Sequence, residues 1–327
     1  MGDKKINFLW GLYGAALIIL FLLSSTDLII KEEEAQVYPI SVIIRDASDE
    51  NYVNFRKGME RAAMEFNGDI SFITLYEKGN ATQQRELMRR EQEDGSRALI
   101  VAPVDAGMVV DMQRENQLSV PIICINSEKE SLSGLDNTAV LTFDYYGMGI
   151  RMGEGILKDH PGKERVYLFC GEENIATDKL FIEGLKKALA SKGCVTLPFE
   201  NTAEGNPELA LEKVGEKEAG GIVMVVPDPE RLLETAQFLS ETDRLKVPVA
   251  GLYGRGNTVP LLNYLDKGII QGLCVTDDFS CGYLSVKTAV ELSEKRSIKE
   301  VGYLASYDIR REDLRNEKYE KILYPIE

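Results

Sequence analysis

YPISVIIRDASDENYVNFRKGMERAAMEF, residues 38–66, decides how the rest of the chain is read. Pro39 to Ile44 is apolar and β-branched without a charge, which suits a strand buried on both faces, as in a parallel sheet. Arg45 to Asn51 is polar and carries Asp46, Asp49 and Glu50. Phe55, Met59, Ala62, Ala63 and Phe66 then recur at helical spacing and form one apolar stripe. Strand, polar loop and amphipathic helix open a βαβ unit. In open α/β sheets ligands bind beyond the carboxyl ends of the strands, where a loop such as 45–51 lies.

The same alternation continues. Strands are expected at 70–76, 98–102, 120–125 and 140–143, with helices at 82–93, 106–116 and 146–157 between them, which implies a parallel sheet covered on both faces. The pattern restarts at Arg165–Cys170. A helix over Thr177–Ala190 and strands at 194–199, 221–226, 247–252 and 269–275 follow. Ser280–Ser293 reads as a helix, Val301–Tyr307 as a strand and Tyr319–Pro325 as a closing strand. A restart near residue 160 marks two similar lobes.

The run at 38–66, with ALIVAPVD at 98–105, VPIICINSE at 120–128, FDYYGMGIRMGEGIL at 143–157, FIEGLKKAL at 181–189 and VPVAGLYG at 247–254, resembles the type I periplasmic solute-binding proteins of the ribose- and galactose-binding group. The resemblance covers nearly everything after residue 37. It implies an α/β fold of two Rossmann-like lobes with parallel sheets, joined by a three-strand hinge, that closes on a small ligand. By that resemblance the chain crosses between lobes near Phe143, Asp277 and Ser306. Lobe 1 is then 38–143 with 278–305, and lobe 2 is 144–277 with 306–327.

A sugar site needs aromatic faces for its C–H surface and charged or amide side chains for its hydroxyls. The resemblance places Arg45, Asp46, Asp49, Asn51 and Tyr52 in the first loop. It places Asn126 after the fourth strand, Lys179 in the second lobe's first helix, and Asp228, Tyr253 and Asp277 after later strands. These residue types depart from the usual monosaccharide pattern, which carries an Asp-Arg pair where Asn126-Ser127 stand, an Arg at Lys179 and an Asp at Tyr253. Asp46 and Asp49 also suit the N-terminus of the following helix, and Lys179 suits a solvated helix face. Arg45 with Lys179 could hold an acidic sugar, unless the nearby Asp residues neutralise them.

Composition limits the alternatives. At 327 residues two domains are expected. A net charge of −15 argues against a nucleic-acid partner. The five cysteines are odd in number, and Cys124, Cys170 and Cys274 sit in apolar strand-like runs, as buried small hydrophobes do. His160 is the only histidine and lies beside Pro161-Gly162, a poor place for a Ser-His-Asp or Cys-His mechanism. The glycines of 147–153 fall inside a helix and read as packing positions, not a dinucleotide fingerprint. No enzyme, cofactor or metal is expected.

Residues 6–23, INFLWGLYGAALIILFLL, carry no charge. That is long for a secretion signal and near bilayer length. Lys4 and Lys5 precede it and acidic residues follow, so the remainder is expected outside the cytoplasm. Residues 1–30 are read as an uncleaved signal anchor in a bacterial cell membrane, with a charged linker at 31–37; a signal peptide cut near Ser25 is the competing reading. The expected partners are a small polar ligand, a carbohydrate on family grounds, and a membrane sensor kinase or ABC permease. So short a tether favours sensing over bulk uptake.

Overall fold

The computed structural model describes residues 2–25, 36–132, 134–170, 175–198, 221–241, 249–296 and 302–325. Two units result, 1–37 and 38–327. In the first, α1 spans Gly2–Ser25, and its Lys5–Leu22 stretch is long and apolar enough to cross a membrane.

The second unit holds two sheets. β1 (Tyr38–Ile43), β2 (Gly68–Ile73), β3 (Ala98–Val101), β4 (Ile122–Ile125) and β5 (Thr138–Leu141) pair in parallel in the order β2-β1-β3-β4-β5. Helices α2 (Val53–Phe66), α3 (Ala81–Glu93), α4 (Ala106–Arg114) and the short α5 (Lys129–Leu132) connect them. β1 is buried on both faces as its composition requires: Ile40 and Val42 join one apolar cluster and Ile43 another.

The chain then restarts with α6 (Tyr145–Asp159), β6 (Arg165–Leu168), α7 (Ala176–Ala190), β7 (Val195–Pro198) and β8 (Ile222–Val226). Next come α8 (Pro229–Glu241), β9 (Val249–Arg255), α9 (Val259–Asp266), β10 (Gly272–Thr276), α10 (Asp278–Ser293), β11 (Ser306–Ile309) and α11 (Glu317–Leu323). The second sheet runs β11-β10-β9-β8-β6-β7, parallel except for β10 against β11.

Each lobe has a close-packed helix pair, and glycine makes both possible. A Cβ on Gly58 of α2 would overlap the Phe279 carbonyl of α10, and one on Gly282 would overlap the Phe55 carbonyl. In the second lobe Gly149 of α6 meets the Phe181 carbonyl of α7, and Gly184 meets the Tyr146 carbonyl. Of the spaced glycines of 147–153, Gly149 and Gly153 are thus packing positions, while Gly147 lies against the Asp144 carboxylate that caps its own helix. α10 follows a strand of the second sheet yet packs on the first lobe.

Three crossing segments lie side by side. Leu304 N–H donates to Thr142 O at 2.9 Å, Asp277 N–H donates to Ala305 O at 3.0 Å, and Phe143 bridges Leu304 in parallel. Such a hydrogen-bonded set is a hinge: few residues absorb the rotation of two rigid bodies.

The C-terminal expectations change. Tyr319–Pro325 is not a strand. The segment is α11, and the Asn316 side chain caps it by accepting from Lys318 N–H at 3.1 Å. Residue 301 lies outside the described residues, and the regular strand of that region is Ser306–Ile309, one edge of the second sheet. Part of the strand expected at 247–252 also falls outside them, since β9 is described from Val249.

Candidate functional site

The strand ends of both sheets face one cleft, with a cavity of about 130 Å³. At 10–15 Å³ per water-sized group this accommodates on the order of ten such groups, the scale of one sugar ring with its hydroxyls.

From the first lobe, the β1 loop supplies Arg45, Asp46, Asn51 and Tyr52. Tyr52 is buried, edge-on to Phe55 and Phe72, and its hydroxyl donates to Asp46 Oδ2 at 2.7 Å. Burial and the Asp46 carboxylate push its pKa well up, so it stays a donor. Burial disfavours the Arg45 cation, but Tyr52 and Asp46 beside it outweigh that and raise its pKa. Arg45 Nη1 reaches the Asn126 carbonyl at 3.5 Å. Asn126 itself has φ +49°, a left-handed turn that Asn tolerates, and its side chain accepts from the Tyr145 hydroxyl at 3.3 Å.

From the second lobe, Arg255 at the end of β9 forms an ion pair with Asp178 of α7 and donates to Pro227 O at 3.0 Å. Its guanidinium lies over Tyr145 at 5.4 Å and Phe181 at 5.1 Å, a stack that fixes its plane. Asp228 accepts from Arg231 N–H at 2.8 Å at the start of α8 and also faces Lys78 of the first lobe at 3.3 Å. Asn51 Nδ2 donates across the cleft to Glu230 at 3.4 Å.

The floor is built from the β10 crossing. Thr276 Oγ1 donates to Asp278 Oδ1 at 2.8 Å. Burial raises the Asp278 carboxyl to about 7, helped by the like charge of Asp277 and opposed by the Thr276 hydroxyl. Asn257 closes the same corner, its Nδ2 donating to Thr276 O at 3.3 Å and Ile322 O at 2.9 Å.

Of the residues expected at the site, Arg45, Asp46, Asn51, Tyr52, Asn126 and Asp228 line this cleft. Asp49, Lys179, Tyr253 and Asp277 do not line it. Asp49 is half out in solvent, paired with Arg56. Lys179 is exposed on α7, one residue past Asp178. Tyr253 is fully buried below the strand end, where its hydroxyl meets Asp159 at 3.0 Å and His160 at 2.9 Å. Asp277 turns its carboxylate into the N-terminus of α10, accepting from Ser280 N–H at 3.0 Å. The cleft adds Lys78, Tyr145, Asp178, Arg255, Asn257 and Asp278, which sequence reasoning missed. Gly254-Arg255-Gly256 at the carboxyl end of a strand was the legible signal for Arg255.

Two α/β lobes on a three-segment hinge, with a polar cleft between their strand ends, define a protein that closes on a small solute. The chain belongs to the periplasmic binding protein family: the family described as "Periplasmic binding protein domain" matches residues 40–297. Similar solved structures include a glucose-galactose binding protein from Geobacillus stearothermophilus (18% identity, TM-score 0.69, 86% of this chain and 99% of that one). A carbohydrate transporter solute-binding protein from Agrobacterium radiobacter, in complex with D-arabinose, matches at 17% identity and TM-score 0.72, over 88% of this chain and 99% of that one. An ABC transporter solute-binding protein from Agrobacterium vitis, bound with α-D-tagatopyranose, gives 16% and 0.74, over 88% and 100%. No curated protein matches the chain in sequence.

Proposed function

We propose that this chain captures a small carbohydrate between its two lobes and presents the closed form to a membrane partner. The observation that carries the reading is the cleft itself, where strand ends of both lobes bring Arg45, Asp46, Asn126, Asp178, Arg255 and Asp278 around a cavity of sugar size. Fixed donors and acceptors reject a ligand that leaves them unmatched, because each buried unmatched group costs about 1–3 kcal/mol. The sugars bound by structures of the same fold support that ligand class. Catalysis plays no part in this reading.

The test is a thermal-shift screen of the purified protein against monosaccharides, followed by titration calorimetry of each hit. A ligand at a hundredfold excess over its dissociation constant adds about 2.7 kcal/mol of stability. The reading fails if no sugar moves the transition.

We further propose that lobe 1 comprises 38–143 and 278–305, and lobe 2 comprises 144–277 and 306–327. On this reading α1 anchors the protein in the bacterial membrane with the lobes outside. Support comes from the apolar Lys5–Leu22 stretch and the lysines before it. A short tether raises the local concentration for a neighbour in the same membrane, which favours a sensor kinase over a permease. Deleting the gene and measuring ligand uptake alongside the transcriptional response separates the two. Lost uptake with an intact response assigns the protein to import.

A further inference from the structure

The charges in the cleft do not balance, and the imbalance sits in one place. Three cations line it, Arg45, Lys78 and Arg255, and each is already engaged. Arg255 has Asp178, the Pro227 carbonyl and two aromatic faces. Lys78 Nζ has Glu230 at 3.0 Å, Asp228 at 3.3 Å and Asp46 at 3.9 Å. Arg45 lies between Asp46 and the Asn126 carbonyl.

The fourth cleft carboxylate is different. Asp278 accepts one hydrogen bond, from Thr276 Oγ1, and its charged neighbour is Asp277, of the same sign. Among the described residues it has no cationic partner. Tyr145 of α6 and Cys281 of its own helix are the titratable groups that also feel its charge, and neither supplies a positive one.

A second observation falls on the same corner. Asn257 is nine-tenths buried and lines the cleft. Its Nδ2 donates to two carbonyls, Thr276 O and Ile322 O, so the amide cannot be turned over without setting oxygen against oxygen. Its Oδ1 is left buried with no donor. Thr276 accepts from Asn257 and donates to Asp278, so the two under-used acceptors flank one residue. A buried acceptor without a donor and a buried carboxylate without a cation are each costly. An ammonium group answers both, since it carries a positive charge and three donors and no acceptor.

Resting on the carbohydrate reading, we infer that the ligand is an amino sugar, whose ammonium group sits against Asp278 within reach of Asn257 while its hydroxyls meet Arg45, Asp46 and Asn126. An acidic sugar is disfavoured because every cleft cation already has a carboxylate or carbonyl. A neutral sugar would leave Asp278 uncompensated.

The test uses the full-length protein in detergent and titration calorimetry at pH 7. The probes are D-glucosamine, D-galactosamine and D-mannosamine, their neutral parent hexoses, their N-acetyl derivatives, and D-glucuronate and D-galacturonate. At least one amino sugar should bind about tenfold or more tightly than its parent hexose, a difference that calorimetry resolves readily. N-acetylation, which removes the charge from the ligand without touching the protein, should abolish that preference. Asp278→Asn should abolish it too. Equal or tighter binding of a parent hexose, tightest binding of a uronate, or a preference that survives N-acetylation overturns the inference and leaves the carbohydrate reading standing. Silence from every probe overturns the inference, and the wider monosaccharide screen then decides the carbohydrate reading.

Discussion

Lys78 Nζ lies 3.0 Å from Glu230 Oε2 across the mouth of the cleft, joining the loop before α3 of one lobe to the start of α8 in the other. Asp228 is 3.3 Å from the same nitrogen. The pair fastens the lobes with protein atoms alone. Partly exposed ion pairs contribute about 0–1 kcal/mol. Lys78→Ala should therefore weaken ligand binding by less than about tenfold, through a larger open population, and the loss should shrink as salt rises. Calorimetry at low and high salt checks it; a salt-independent loss would mean that Lys78 touches the ligand.

Tyr52 separates ring from hydroxyl. Its ring packs on Phe55 and Phe72, and its hydroxyl holds Asp46. Tyr52→Phe should cost about 1 kcal/mol of stability. Tyr52→Ala should weaken ligand binding by about 1–3 kcal/mol, because both the wall and the aim of Asp46 are lost. Denaturant curves and calorimetry on the two variants provide the comparison. Equal ligand affinity in the alanine variant and the wild type places the ligand elsewhere.

Asp278 makes the empty protein sensitive to pH. Its carboxyl is raised by burial to about 7 from the ordinary 3.8, so the unfolded chain releases this proton first. The contribution to stability is then greatest below about pH 4, falls as pH climbs towards 7 and is level above. Asp278→Asn should accordingly raise the melting temperature of the unliganded protein at pH 8 and change it little near pH 4. A melting difference that is the same at both pH values would show an ordinary carboxyl there.

Gly149→Ala tests the helix pairing of the second lobe. The new methyl group meets the Phe181 carbonyl, which α7 cannot withdraw without shifting. Overpacking of this kind costs about 1–3 kcal/mol. Gly162→Ala, at a turn where nothing lies near the added carbon but φ is +81°, is the comparison for backbone strain alone. Thermal melts should place the Gly149 variant lower than the wild type, with ligand selectivity unchanged.

The two-lobe α/β fold was legible in the sequence because its signals are local: uncharged β-branched runs such as 39–44, helical stripes such as Phe55–Phe66, and their repetition. The site was legible only to the level of loops. Asp277 and Asp278 are adjacent acids at a strand-to-helix junction, and one must satisfy the helix N–H groups while the next faces the cleft. Backbone dihedral angles decide which, and composition carries no trace of them. Lys179 and Asp178 differ by the same single step on α7. Tyr253 and Arg255 lie on one strand, two residues apart, but only the latter sits at its end. Lys78 was invisible for another reason, since it reaches the cleft through a loop whose partner is far along the chain. The closing helix at Glu317–Leu323 was misread as a strand, although Asn316 followed by Glu317 was a start signal in plain view.

The pairing of Gly58 with Gly282 sets a timetable. A ribosome delivers the five strands of the first sheet early, but the helix that completes their cover arrives only after nearly all of the second sheet has been made. The helix pair of the second lobe waits for nothing comparable, because its Gly149 and Gly184 helices are neighbours in the chain. The half that is begun first is thus covered only after most of the other half has been made, and a chain interrupted before residue 278 leaves an uncovered apolar groove along α2.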